Sequence, residues 1–446
     1  MSRLSAEPRS AAGALSTPET ADVEFVLLGF PDLNGSLRGK ALRPEAFEAA
    51  LRHGAPMTDL LLALDPTDTP IADYERFGIR SGAADLLVHP DPDTLHDLSW
   101  RRGWRICIGT PFWPDGKPCE LASREVLRAA LGLMAEIGYD VLAAVEYEVR
   151  IRDADDRFVS SGHSYSLSEV SGLEGFMRTL RPALDHLGVE LITVHTEAAP
   201  GLLELNLAAR PALRAADDAA YTKFAVKELA ASMGLRASFL AKTMPGEEGS
   251  SGHLHVSCWR DGHNAFAGSG PEAPLPPALL SAIAGVVEHL PAACLLLNPT
   301  INSYKRVVPG WFAPTNVSWG IENRSTAVRA IRSGRPEQWR LECRRPGADA
   351  NPYLALAAVV VSAADGLQRQ AKPPAPVDGD AYARDDIAQL PGSLEAALNA
   401  FESDPQLRQG LGESFGDYYA TSRRWELKAW QQTVTDWERA RYEGSV

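Results

Sequence analysis

Residues 140–151 read DVLAAVEYEVRI, and this alternation is the strongest constraint the chain carries. Side chains alternate across a strand, so Glu146 and Glu148 fall on one face with Leu142 and Ala144. Two carboxylates on an otherwise apolar face are costly unless a cation or a proton neutralises them. The same oddity recurs further on. In ELITVHTE (190–197), His195 and Glu197 share a face; AAPG turns the chain; in LLELNL (202–207), Glu204 and Asn206 share a face. That pattern predicts a β-hairpin with acids near its tip. In GHLHVS, His253 and His255 lie on one face, behind Gly-Ser-Ser-Gly, whose glycines let another backbone or a ligand come close. WRLECRR alternates as well, with Arg340, Glu342 and Arg344 on one side and Leu341 and Cys343 on the other. Taken singly, each pattern has an ordinary reading: a solvated acid pair, a structural histidine pair, a salt-bridge ladder.

Together, Glu146, Glu148, Glu197, Glu204, His253 and Glu342 supply five carboxylates and one imidazole to one face of a curved sheet. Oxygen-rich ligation with a single nitrogen suits Mg²⁺ or Mn²⁺ rather than Zn²⁺. Five acids exceed the needs of one such ion, which points to two or more. The stretch from Asn298 to Arg345 supplies the counterpart. It holds eight arginines between Arg306 and Arg345, interleaved with Gly, Pro and Asn, in a chain of net charge −14. The guanidinium fork matches carboxylates and phosphates. A solvated basic face is the plain alternative. Divalent ions that neutralise phosphate oxygens, with arginines facing them, are what ATP-dependent phosphoryl transfer requires.

The 446 residues, 45% of them apolar, have room for a large core and two domains. The acidic surface repels nucleic acid and anionic lipid, so neither is an expected partner. Leu354–Ala364 reads as the longest strongly apolar run, too short to span a bilayer. Five scattered cysteines without CxxC spacing fit a reducing cytoplasm. Residues 1–20, rich in Ala, Ser and Pro, read as a disordered leader. Residues 21–112 read as a small mixed domain, with a strand at 22–30 and a helix at 44–53 opened by Pro44. Residues 113–446 form the larger domain. In it Ser123–Gly138 reads as a helix capped by its serine, and residues 217–234 as a helix starting at Asp217. Residues 351–367 read as a buried helix and 371–392 as a surface loop. The last 40 residues read as helical, with Trp425, Trp430 and Trp437 packing.

From about residue 22 onward, the order of motifs resembles the glutamine synthetase superfamily: FPDLNGSLRGK, VEYEV, HTEAAPGLLE, RAADDAAYTKFAVKELA, AKTMPGEEGSSGHLH, NPTINSYKRVVPG, WGIENRS and RLECRRPGADANPYLALAA. The resemblance implies an α+β fold, with a small N-terminal β-grasp domain and a larger catalytic domain built on a curved antiparallel sheet. It implies that Glu148, Glu197 and Glu204 hold a metal near the substrate glutamate, and that Glu146, His253 and Glu342 hold one near the nucleotide phosphates. It assigns Gly249, Arg306 and Arg344 to glutamate, and His255, Ser257, Arg329 and Arg340 to the nucleotide. Arg324 takes the arginine position that stabilises the transferring phosphoryl group. Asp32 takes the amine-site aspartate, supplied in that family by a neighbouring subunit. The implied cofactors are ATP and two or three Mg²⁺ or Mn²⁺ per site, and the implied assembly is a homo-dodecamer of two hexameric rings, with active sites between subunits. The implied chemistry phosphorylates the γ-carboxylate of glutamate and lets an amine attack the acyl phosphate. That amine must lose a proton, so a carboxylate is needed beside it.

The pattern breaks at one informative place. Ammonia-using members carry a glutamate after a Pro-Gly-aromatic turn, whereas this chain reads Pro309-Gly310-Trp311-Phe312-Ala313-Pro314. Phe312 has no charge to pair with ammonium; with Trp311 it suits the wall of a pocket for an alkyl or hydroxyalkyl amine. Lesser departures are Leu202 at a usually Gln position and Leu207 and Ala209 where an adenine shelf is common. The 371–392 loop lacks the Asn-Leu-Tyr segment that carries an adenylylated tyrosine, and Tyr382 is no obvious substitute. The expectation is a ligase joining glutamate to a small organic amine, ethanolamine or a polyamine. An ammonia-using synthetase is the alternative, and a non-catalytic scaffold homologue is the alternative of another class. A polyamine pocket needs acids, for which Glu322 and Asp32 are the candidates.

Overall fold

The computed structural model describes residues 23–270 and 273–446; the leader read at residues 1–20 lies outside them. Six strands come first: β1 (Phe25–Pro31), β2 (Leu37–Leu42), β3 (Ala55–Thr58), β4 (Asp85–Pro90), β5 (His96–Asp97) and β6 (Trp104–Phe112). They form one sheet in the order β2-β1-β6-β4-β3, with β5 on β6. The β1–β6 pair is parallel and the others antiparallel. Helix α1 (Pro44–His53) starts on its proline as expected and buries Phe47 and Ala50.

The second sheet carries the acids. It comprises β7 (Asp140–Arg152), β8 (Leu191–Thr196), β9 (Leu202–Leu207), β10 (Arg210–Pro211), β11 (Arg236–Ser238), β12 (Gly252–Arg260), β13 (His263–Asn264), β14 (Trp319–Ile321), β15 (Val328–Ile331) and β16 (Arg340–Cys343). The long path is β14-β15-β16-β12-β7-β9-β8, antiparallel except for the parallel β14–β15 pair. The predicted alternation holds along β7: Val141, Ala143, Val145, Tyr147 and Val149 are buried on one face. Glu146 and Glu148 lie on the other. Register then sets the charges side by side, pairing Glu148 with Glu204, Glu146 with His253, His195 with Glu204, and Glu342 with both His255 and Arg329. Like charges directly across a ladder are destabilising unless something positive joins them.

Helices α2 (Ser123–Glu136), α5 (Ala212–Ser232), α6 (Pro277–Leu297) and α7 (Pro352–Arg369) share the core with the buried side of this sheet. Between α2 and α5 in the chain come α3 (Leu167–Gly172) and α4 (Glu174–His186). Helices α6 and α7 cross where Gly285 meets Gly366: a Cβ on either would lie 2.0–2.1 Å from a carbonyl oxygen of the other helix. Helix α6 is long and apolar enough to cross a membrane by length and composition. It outreaches Leu354–Ala364, the run taken from sequence as the longest. Since 83% of its apolar window is buried inside the chain, it serves as a core helix. Four further helices, α8 (Leu394–Glu402), α9 (Pro405–Leu411), α10 (Glu413–Gln431) and α11 (Asp436–Tyr442), end the chain.

Three local expectations need correction. Ser123 does not cap α2; its hydroxyl donates to the carbonyls of Pro31 (3.1 Å) and Asp32 (3.2 Å), tying that helix to the first sheet. Helix α5 begins at Ala212, not Asp217. The two aspartates sit inside it because arginines pair them: Arg124 with Asp217 at 2.9 Å and Arg214 with Asp218 at 2.7 Å. Trp425 packs against the core, but Trp430 and Trp437 are exposed, with Lys305 over the Trp430 ring and Arg441 and the Tyr442 ring against Trp437.

A buried triad pins α6, α7 and α9 together. His289 lies between Asp404 (2.7 Å to Nδ1) and Asp365 (3.0 Å to Nε2). Burial alone would lower its pKa, but the two carboxylates prevail and raise it above 6.5. A raised folded value means the stabilisation is complete below the unfolded pKa and is lost as pH climbs through the folded one. His289→Leu should therefore cost about 3 kcal/mol near pH 6. The gap to wild type in melting temperature should narrow by about pH 9. Melts of both proteins across that range check it.

Candidate active site

The acid-bearing face of the second sheet opens into a cavity of about 750 Å³. All six residues singled out as metal ligands line it: Glu146, Glu148, Glu197, Glu204, His253 and Glu342. Gly249, Arg306, Arg324, Arg329, Arg344, Trp311 and Phe312 line it too. The residues singled out separately along the sequence thus meet in one place. A larger groove of about 980 Å³, lined by Tyr139, Arg260 and Pro373–Pro376, holds none of them.

Five predicted residues stand outside the cavity lining. His255 and Arg340 form a layer behind it, where Arg340 Nε donates to His255 Nδ1 (2.9 Å) and His255 Nε2 lies 2.8 Å from Glu146. That bond assigns the ring proton to Nε2, which lies close to the carboxylate without the geometry of a hydrogen bond. Ser257 accepts from Trp259 Nε1 at 3.0 Å, further along β12. Asp32 is buried on the first sheet. Its carboxylate accepts from the amides of Asn34 and Ser36 (both 2.9 Å) and from Arg38 Nε (3.0 Å). Within this chain Asp32 anchors a turn, and it is no free acid beside the cavity. Glu322 is likewise committed. It binds Arg329 at 2.7 Å and the amides of Arg332 and Ser333 at 2.8 Å, which removes it as a pocket acid.

The acids fall into groups whose ligand atoms lie within 4.8 Å of one another: Glu146–His255–Glu342, Glu146–Glu204–His253 and His195–Glu197–Glu204. These overlap the two sets expected from sequence without matching them. Glu148 joins none of these groups; its carboxylate accepts from the Ser251 amide at 2.7 Å. His195 joins one, with Nε2 2.9 Å from Glu197 and 3.5 Å from Glu204. The donor set fits hard divalent ions, being mostly carboxylate with imidazole at its edges. His253 Nε2 is buried with no hydrogen-bond partner, the state of a nitrogen reserved for a ligand.

Electrostatics agree. Burial, and then the charges of Glu146 and Glu148, push Glu204 up to about 8. Burial acts the same way on Glu342, but Arg344, His255 and His253 outweigh it and hold that carboxyl at about 2. Glu146 is likewise held low, by the imidazoles of His255 and His253. One face thus carries a carboxyl that gives up its proton reluctantly beside others that stay charged, and a cation joining them would relieve Glu204. The ladder read from WRLECRR is real but differently composed: Glu342 pairs with Arg344 (2.5 Å) and with Arg329 of the neighbouring strand (3.2 Å), not with Arg340.

Arg306 is buried beside the cavity, its terminal nitrogen donating to the carbonyls of Arg345 and Pro346 and its Nε left without a partner. Burial lowers its pKa to about 10, still charged at neutral pH. Gly249 packs on it so tightly that a Cβ there would sit 2.5 Å from Arg306 Cγ and 2.3 Å from the Ala241 carbonyl. Gly249→Ala should force both that arginine and the Ala241 backbone to move, lowering kcat/KM for an anionic substrate by about 10- to 100-fold and lowering the melting temperature as well. Steady-state kinetics and thermal melts check it.

Sequence reasoning missed three cavity residues. His195 carried a signal, since it shares a strand face with Glu197. Tyr165 carried none; it sits on a loop at φ 57° and stacks on His195 at 4.2 Å. Glu248 lay unremarked inside a matched motif, next to Gly249. Tyr382 has a buried hydroxyl without a hydrogen-bond partner.

Residues 120–442 match the family model described as "Glutamine synthetase, catalytic domain". The chain is 33% identical over 442 residues to a glutamine synthetase of Thermus thermophilus, covering 94% of this chain and 96% of that one. It is also 33% identical over 431 residues to the gamma-glutamylethanolamide synthetase GlnA4 of Streptomyces coelicolor, covering 94% and 92%. A solved structure titled "GmaS/ADP complex-Conformation 1" superposes with a TM-score of 0.85 at 28% identity, covering 97% of this chain and 99% of that one. The chain belongs to the glutamine synthetase family of ligases.

Proposed function

We propose that this protein joins the γ-carboxylate of glutamate to a small organic amine, ethanolamine or a polyamine, at the expense of ATP. One observation carries the choice of amine. Phe312, an uncharged ring, is 55% exposed at the cavity wall where ammonia-using relatives place a glutamate. It holds a left-handed backbone, φ 51°, which a bulky residue adopts at a cost and which the surrounding turn must enforce. The turn therefore presents an apolar surface to the cavity. Relatives at equal identity bear both kinds of name, so overall similarity does not decide between amines.

In this reading Glu148, Glu197 and Glu204 hold one Mg²⁺ or Mn²⁺, while Glu146, His253 and Glu342 hold another. His195 stands as a further candidate ligand on the first. When bound, the ions neutralise phosphate oxygens and polarise the transferring group. The rest is done by the chain. Arg306, Arg344 and Gly249 orient glutamate by its carboxylate. Arg324 is exposed at the cavity and makes no hydrogen bond or ion pair among the described residues, leaving its fork free for the transferring phosphoryl group. Arg329 faces the nucleotide phosphates, and Arg340 fixes His255, which fixes Glu146. Ser257 is further from the cavity and contacts the nucleotide only if ATP extends along β12. Asp32 reaches the amine only from a neighbouring protomer, so the reading includes a homo-oligomer, a dodecamer, with sites between subunits.

The test is ATP- and glutamate-dependent phosphate release over a panel of ammonia, methylamine, ethanolamine and putrescine, with product identified by mass. Highest kcat/KM for an organic amine is expected. Ammonia outperforming every organic amine overturns the reading, and no turnover with any amine favours the scaffold alternative.

A further inference from the structure

An amine pocket without the usual glutamate still has to hold a cation, because amines of this class are protonated at neutral pH. The two acids suggested from sequence are occupied: Glu322 by Arg329 and its own turn, Asp32 by Arg38 and its own turn. Glu248 is not occupied in this way. It lines the cavity, half-buried, and its carboxylate makes no hydrogen bond or ion pair among the described residues. The charges that act on it most are Glu148 and Glu197 on one side and Lys242 and Arg150 on the other. Both cations are engaged elsewhere. Arg150 bonds Glu247 (2.6 Å) and the carbonyls of Pro200 and Glu248, and Lys242 bonds the Glu247 carbonyl and caps the Trp311 ring at 4.1 Å. Lys242 thus links the Glu248 region to the aromatic turn of Trp311 and Phe312.

Neighbouring glutamates show what pairing does at this loop. Glu247, one residue earlier, is taken by Arg150, whereas Glu248 is aimed into the cavity. An unpaired carboxylate at the edge of an aromatic-walled cavity, next to a glycine pressed against Arg306, is built to receive a positive group. We infer that Glu248 anchors the ammonium group of a substrate, standing in for the acid that Phe312 replaces. This rests on the ligase reading for its substrates, but not for the binding itself. The ammonium in question is that of the attacking amine; the amino acid brings one too, and the test separates the two.

The experiment compares wild type with Glu248→Gln and Glu248→Asp. Equilibrium dialysis with a non-hydrolysable ATP analogue and Mg²⁺ measures binding of glutamate, ethanolamine and putrescine separately. Steady-state KM values follow where wild type turns over. Loss of one charge-assisted contact should weaken one ligand by about 10-fold or more in Glu248→Gln, with partial recovery in Glu248→Asp. Weakened amine binding with unchanged glutamate supports the anchor, and weakened glutamate binding with unchanged amine binding overturns it. Unchanged binding of all three ligands in a folded Glu248→Gln protein overturns the inference. So does weaker Mn²⁺ binding without any change for the ammonium ligands, since Glu248 would then be a metal ligand. Because dialysis needs no turnover, a wild type that makes no amide counts against the ligase reading alone.

Discussion

Glu342→Gln is expected to lower amide formation by about a thousandfold or more. The side chain is 1% exposed and stands at the centre of the positive half of the cavity. Arg344, Arg329 and His253 all face it, at 2.5, 3.2 and 3.6 Å. The amide keeps the shape and removes the charge. Two guanidiniums then lose their common counter-ion, and the proposed metal site loses one of its anionic donors. Breaking a buried pair from one side costs about 3–5 kcal/mol, so the melting temperature should fall along with activity. Added Mn²⁺ should not restore the rate. Glu322→Gln is the control. It weakens the bond to Arg329 but keeps an oxygen to accept the amides of Arg332 and Ser333, and its effect should stay within about 10-fold. Kinetics and melts of the two variants together separate loss of the site from general damage.

Phe312→Glu carries the second large effect. On the proposed reading the ring offers an alkyl or hydroxyalkyl group an apolar surface and offers ammonium no charged partner. A carboxylate reverses both terms, adding a charge-assisted partner for NH₄⁺ and placing an acid against the carbon chain of a larger amine. The ratio of kcat/KM for ammonia to that for ethanolamine should rise by about 10- to 100-fold. The backbone there is left-handed, φ 51°, and glutamate meets the same strain as phenylalanine, so the turn should survive the change. Equal losses for both amines, with the ratio unmoved, would mean that the ring shapes the turn without selecting the substrate.

The acids on β7, β9 and β16 were legible because a strand has a period of two and a buried face does not tolerate charge without reason. The motif order then placed the arginines. Pairing was not legible. Strand register put Arg329, rather than Arg340, beside Glu342, and gave the Ser251 amide to Glu148. Such choices depend on which neighbour lies across the ladder, which alternation along one strand does not specify. Asp217 looked like a helix start because aspartate is common there, but a buried arginine from α2 let it lie inside α5. Ser123 lost its capping role to the same kind of long-range bond. Tyr165 and Glu248 come from loops, where no period marks which side chain faces a cavity.

The central claim is the identity of the nucleophile, and a direct competition tests it. The protein is given ATP, glutamate and Mg²⁺ with equal concentrations of ammonia and ethanolamine, and then of ammonia and putrescine, and the products are separated by mass. The account predicts that γ-glutamyl amide of the organic amine exceeds glutamine in at least one of the two mixtures. Glutamine as the main product in both would contradict it.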